Sequence, residues 1–191
     1  MDMFKQLEQY LEKEAEIDPV MLNLIFSKFK LIHTKRNQIL LSYHEVCKNH
    51  YFVNKGCIRV FTINKAGQET TRFFAFEGGF GTALPSLIDQ LPAHEYLQTT
   101  EKSELLTIKR TDFYLLVDTI PEFAKVYRNI LELGFITAQK RIYGFQGFDA
   151  MEKVKWISSY YPKLLSRVSN KMAASYLGMS PSTLSRVKRK L

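Results

Sequence analysis

Between about residue 37 and residue 109 the apolar pattern has the period of a β-strand, and on both sides of that block it has the period of a helix. The runs NQILLS, HYFV, CIRVFTI, ETTRFFAF, EYLQTT and ELLTIK are short and rich in β-branched and aromatic residues. Turn chemistry separates them: Asn54-Lys55-Gly56, Asn64-Lys65-Ala66-Gly67 and Glu77-Gly78-Gly79. Many short strands punctuated by glycine predict an antiparallel sandwich or barrel. One short helical piece, Pro85 to Leu91, interrupts them.

The flanks read differently. Phe4, Leu7, Tyr10 and Leu11 recur at helical spacing, and Asp18-Pro19 supplies an N-cap and a first-turn proline for a second helix carrying Val20, Leu22, Leu24, Ile25 and Phe29. After Thr111-Asp112 the helical period returns. A long segment from Pro121 to about Tyr143 carries an apolar stripe including Phe123, Val126, Tyr127, Ile130, Leu133, Ile136 and Ile142. Such a stripe is too long to be buried within so small a domain, so part of it is expected to pair with a second copy; an ordinary core helix is the plainer reading. Gly144-Phe145-Gln146-Gly147 reads as a hinge, followed by a helix that Pro162 ends.

Charge singles out the C-terminal fifth. Residues 152–191 hold nine Lys or Arg against the single Glu152, an excess equal to the net +8 of the whole chain. That asymmetry points to a polyanion partner for this end alone. Within it, Met172 to Leu177 reads as a helix stopped by Gly178, and Ser180-Pro181 starts another at once. Leu184, Val187 and Leu191 are expected to face inward, leaving Ser182, Thr183, Ser185, Arg186, Arg189 and Lys190 outward; Ala174 is small enough for a close helix crossing. This is a helix-turn-helix pattern, with short hydroxyls and then a guanidinium suited to a major groove about 12 Å wide. The candidate DNA-binding residues are Lys171, Ser180, Ser182, Thr183, Ser185, Arg186, Lys188 and Arg189. A structural helical hairpin with a solvated basic end is the plainer alternative.

Flanking helices, a β block, a long helix and the motifs GCIRVF, NKAGQETTRFF, Phe80-Gly81 and AASYLGMSPSTLSRVKRK together resemble the CRP/FNR superfamily of bacterial transcription regulators. The resemblance implies an α+β chain. An antiparallel β-roll (a double-stranded β-helix or jelly roll) would occupy 1–118 as effector domain, a dimerisation helix 119–145, and a helix-turn-helix domain 146–191. It implies double-stranded DNA and RNA polymerase as partners, a homodimer through helix 121–143, and base edges approached by Ser182, Thr183 and Arg186. Pro181 and Ser182 stand where the family often has Arg and Glu, which leaves the preferred DNA sequence open.

The same resemblance places an effector pocket at Phe80, Gly81, Thr82, Ala83, His94 and Glu95. Thr82 replaces the family's ribose-binding Glu, and no Lys or Arg occurs from Phe73 to Glu101, while Glu77, Asp89, Glu95 and Glu101 are all acidic. A phosphate needs a charge-assisted donor. Arg59 and Arg72 are expected on solvated faces. Ordinary cyclic AMP is therefore disfavoured as a cofactor, and another small effector, or none, is left open.

Other classes fit less well. Cys47 and Cys57 are too few for a four-Cys zinc site or an iron–sulfur cluster. His33, His44, His50 and His94 lack paired ligand spacing, and His44-Glu45 reads as a surface turn. No nucleophile–base pair marks an enzyme. A sensor whose basic end docks a non-DNA partner is the competing function, distinguished by salt-dependent duplex binding. The acidic, amphipathic N-terminus and the lack of a long apolar run predict a cytoplasmic protein with no membrane partner.

Overall fold

The computed structural model describes residues 3–191, which form two antiparallel sheets and a series of helices. The chain divides into two compact units: Met1–Val60 with Phe74–Leu133, and Phe61–Phe73 with Gly134–Leu191.

The first unit opens with α1 (Lys5–Glu14) and α2 (Pro19–Lys28). Asp18 caps α2, its side chain accepting the Val20 N–H at 2.8 Å. Eight strands follow: β1 (Lys30–Thr34), β2 (Ile39–Leu41), β3 (Asn49–Lys55), β4 (Ile58–Ile63), β5 (Glu69–Ala75), β6 (Phe80–Gly81), β7 (Tyr96–Thr99) and β8 (Ser103–Lys109). Helix α3 (Leu84–Asp89) lies between β6 and β7. One sheet runs β1-β8-β3-β6 and the other β2-β7-β4-β5. Apart from the β4–β5 hairpin, neighbours in each sheet are distant in sequence, the arrangement a roll requires. Strand β1 was not foreseen. It pairs antiparallel with β8 from Lys30↔Thr107 to Thr34↔Ser103, but only Thr34 of its residues is buried, so it has no apolar alternation to read.

Helix α4 (Arg110–Thr119) and the N-terminal half of α5 (Pro121–Gly147) complete the scaffold of the first unit, and α5 from Gly134 on belongs to the second. Its core joins Leu7 and Leu11 of α1, Ile25 of α2, Phe52 of β3, Leu106 and Ile108 of β8, Phe113 and Leu116 of α4, and Phe123 and Val126 of α5. His50 is buried there, stacked 3.9 Å from the Phe113 ring, and its Nε2 has no hydrogen-bond partner among the described residues. Burial pulls its pKa down to about 3, so it is held neutral.

The expected hinge at Gly144–Gly147 is helical: α5 continues through Gly147, and the Phe148 N–H still donates to Gly144 O. The break falls at Phe148–Asp149. There Asp149 and Glu152 form a reciprocal capping box that starts α6 (Ala150–Tyr160) afresh. The short α7 (Leu164–Arg167), also unforeseen, precedes α8 (Asn170–Leu177) and α9 (Pro181–Lys188). Phe61, Val154, Ile157, Leu164, Val168, Ala173, Ala174, Tyr176, Leu177, Leu184 and Val187 are the buried apolar side chains of the second unit.

The apolar stripe of α5 divides along its length. Phe123 and Val126 are buried, whereas Leu133, Phe135, Ile136, Ile142 and Tyr143 are all exposed.

Candidate nucleic-acid interface and effector pocket

The helix-turn-helix is built by local chemistry. Ser169 caps α8, accepting the Met172 N–H. Gly178 ends it in the left-handed region at φ +64, a conformation that would strain any side chain. Its N–H and that of Met179 both return to the Ala174 carbonyl. Ser180 then caps α9 by accepting the Thr183 N–H at 3.0 Å, with Pro181 in the first turn. Ala173 and Ala174 are fully buried, which brings the two helices close.

Leu184 and Val187 turn inward as expected, but Leu191 is 62% exposed. It lies beyond the end of α9 at Lys188, so helical spacing no longer controls where it points. On the outer side Arg186, Lys188, Arg189 and Ser182 are exposed. The Arg186 guanidinium makes no hydrogen bond or ion pair with the described residues. The hydroxyls are more occupied: Ser180 Oγ lies 2.8 Å from both Ser182 Oγ and Thr183 Oγ1. Ser185 Oγ accepts from Asn170 Nδ2 at 2.9 Å. Lys171 meets Glu69 at 3.2 Å with its side chain still 67% exposed, and Lys188 Nζ reaches Leu165 O at 3.4 Å.

Sequence reading missed Arg141. Its guanidinium donates from Nη1 to Arg72 O and from Nη2 to Thr71 O (2.8 Å) and Tyr176 O (3.1 Å). It also lies over the rings of Phe145 (4.8 Å) and Tyr176 (4.4 Å). Burial lowers its pKa, with Tyr176 opposing and Arg72 reinforcing the shift. A guanidinium so far above neutrality remains charged all the same. The hydroxyls of Thr71 and Ser175 meet at 2.8 Å beside it. Arg141 thus fastens strand β5 and α8 to α5 within the second unit. Its signal was an Arg inside an apolar stripe, which counts only as charge until the fold surrounds it.

Of the six expected pocket residues, Phe80, Gly81 and Thr82 are engaged by the chain's own side chains and backbone. Phe80 packs edge-on against Tyr10 (5.5 Å) and Phe52 (5.0 Å), with the first unit's core. A Cβ on Gly81 would stand 2.5 Å from Ile58 Cδ1, so the chain's own side chain fills the space beside that glycine. Thr82 Oγ1 donates to Asn49 O at 2.8 Å and lies 3.2 Å from Cys47 Sγ. Ala83 is fully buried. His94 and Glu95 line an open depression of about 290 Å³ with Pro85, Ser86, Asp89, Leu91, Pro92 and Ala93.

Arg72 is exposed as expected, but Arg59 is 3% exposed. Its Nε and Nη2 both donate to Gln98 Oε1, at 2.9 and 2.7 Å, and Gln98 Nε2 in turn donates to Asn37 O. A buried guanidinium needs such acceptors, which is why it left the solvated face assigned to it. No group of three or more His, Cys, Asp or Glu among the described residues is placed to hold a metal ion. No helix of the described residues is long and apolar enough to cross a membrane.

This geometry has known counterparts. Residues 31–119 match the family model of the cyclic nucleotide-binding domain. FixK2 from Bradyrhizobium japonicum superposes with a TM-score of 0.76 at 15% identity, over 85% of this chain and 84% of its own. The c-di-GMP-responsive global regulator CLP of Xanthomonas campestris gives 0.71 at 15% identity, over 91% of both chains. A structure described as a transcriptional regulator of the crp/fnr family from Eubacterium rectale gives 0.69 at 14% identity, over 91% of this chain and 83% of its own. No curated protein sequence matches. The chain therefore has the fold of the CRP/FNR-type transcription regulators, a cyclic nucleotide-binding-type β-roll followed by a long helix and a helix-turn-helix.

Proposed function

We propose that the chain is a homodimeric, sequence-specific DNA-binding regulator of transcription whose roll does not take ordinary cyclic AMP. The observation that carries the reading is the exposed cationic edge of α9, where Arg186 is free of protein carboxylates and flanked by Lys188 and Arg189. Arg186 reads a guanine through O6 and N7, and the lysines and the α9 N-terminus meet phosphates. The exposed apolar residues Leu133, Ile136 and Tyr143 of α5 pair with those of a second copy, setting two recognition helices one helical turn of DNA apart, about 34 Å. RNA polymerase is the partner through which a bound dimer acts. Gly81 packed on Ile58, Thr82 bonded to Asn49, and a pocket segment without Lys or Arg support the exclusion of cyclic AMP.

Selection of bound duplexes from a random pool at fixed salt tests this. A twofold-symmetric site is expected, and a pool that stays random would overturn the reading. Titration calorimetry with cyclic AMP is expected to show no saturable binding. Leu133→Asp with Ile136→Asp is expected to turn dimer into monomer in sedimentation.

A further inference from the structure

Asn170 stands at the first position of α8, away from the expected base-reading set, yet its side chain reaches α9 twice. Nδ2 donates to Pro181 O at 2.9 Å and to Ser185 Oγ at 2.9 Å. Leu184 and Val187 hold α9 against the second unit by apolar contact. Apolar contact is non-directional and leaves a helix free to roll slightly about its axis. Two hydrogen bonds from one planar amide, to points four residues apart on α9, are directional and fix that roll. The consequence is felt at Arg186, the next residue after Ser185. A side-chain head carried roughly 6 Å from the helix axis moves about 2 Å when the helix turns by roughly 20°. A recognition contact tolerates about 0.5 Å.

We infer that Asn170 is a positioning residue for sequence reading: it sets the azimuth of the recognition helix and occupies the Ser185 hydroxyl, leaving Arg186 as the long base-reading side chain. Ser185, expected to face DNA, is half-buried, and its oxygen is engaged by Asn170. The role rests on the DNA-reading proposal above. It adds that discrimination depends on a side chain that itself touches no base.

The test uses the full-length chain and the duplex it selects. Affinity is measured for that duplex, for one with the guanine opposite Arg186 replaced, and for random duplex, each across a salt series. Asn170→Ala is expected to lower the ratio of selected to altered duplex by tenfold or more. Its affinity for random duplex and its salt slope should stay at wild-type values, because phosphate-contacting cations are untouched. Asn170→Asp, which cannot donate to the Pro181 carbonyl and can only accept from the Ser185 hydroxyl, should also lower the ratio. Ser185→Ala keeps the Pro181 bond and should lose about threefold; it also serves if the Asn170 variants fold poorly. A general loss of folding would lower all three affinities together, which separates it from misplacement. A discrimination ratio within twofold of wild type in Asn170→Ala, or in Ser185→Ala if only that variant folds, overturns the role and leaves the DNA reading standing. A wild-type chain that selects no sequence overturns both.

Discussion

Arg141 and Arg186 lie in the same compact unit, yet the fold uses them for opposite ends. Every bond Arg141 makes is spent inside the protein, on three carbonyls and two rings. Arg186 is exposed and keeps its donors for something else. The histidines divide the same way: His50 is buried against Phe113 and held neutral, whereas His44 is exposed in a turn with φ +69. A residue's chemistry is the same in each pair, and the surroundings decide whether it holds the fold together or remains available to a partner.

The largest way to break this contrast is acid. The unfolded chain protonates His50 near 6.5 and the folded chain only near 3, so stability should fall as pH drops from 6.5 toward 3. The His50 contribution approaches about 1.4 kcal/mol per pH unit and levels off below 3. Urea midpoints across that range should show a shallower decline for His50→Phe; an identical slope would mean the imidazole is not held neutral. Next is Arg141→Met, expected to cost about 3 kcal/mol in denaturant unfolding because charge-assisted bonds to three carbonyls are lost. Arg186→Ala should change stability by no more than about 0.5 kcal/mol, yet weaken the selected duplex by about 1–3 kcal/mol and relax one base position. If the two arginine variants instead behaved alike in unfolding, the contrast would fail. Lys188→Ala should weaken all duplexes evenly and reduce the salt slope by about 0.9. The smallest effect belongs to Glu69→Gln, which removes the carboxylate partner of the exposed Lys171 and should alter stability by about 0–1 kcal/mol in thermal unfolding.

What could be read early was governed by neighbours in the chain. The Asp18-Pro19 and Ser180-Pro181 starts and the Gly178 stop appear where expected, because caps act over three or four residues. The strands β3, β4, β5, β7 and β8 follow their apolar runs. Strand β1 escaped notice because its partner β8 lies some seventy residues on and its own side chains are mostly half-buried or exposed. The Gly144–Gly147 segment misled because two glycines suggest a break, while α5 carries on to the capping box at Asp149. Arg59 misled because a cation in a strand suggests a wet face, and only Gln98, from a strand distant in sequence, supplied acceptors for it.

By itself, then, the order of residues determined the helix boundaries at Asp18, Gly178 and Ser180, the apolar runs that became β3, β4, β5, β7 and β8, and that the positive excess lies at one end. Those properties depend on dihedral preference, spacing and composition, each set within a few residues. The tertiary structure alone decided that Arg141 is a fastener and Arg186 is not, that the apolar half of α5 beyond Leu133 stays exposed, and that Asn170 grips α9. Each of these depends on desolvation and on directional bonds between groups far apart in the chain, and such groups have no common environment until the fold brings them together.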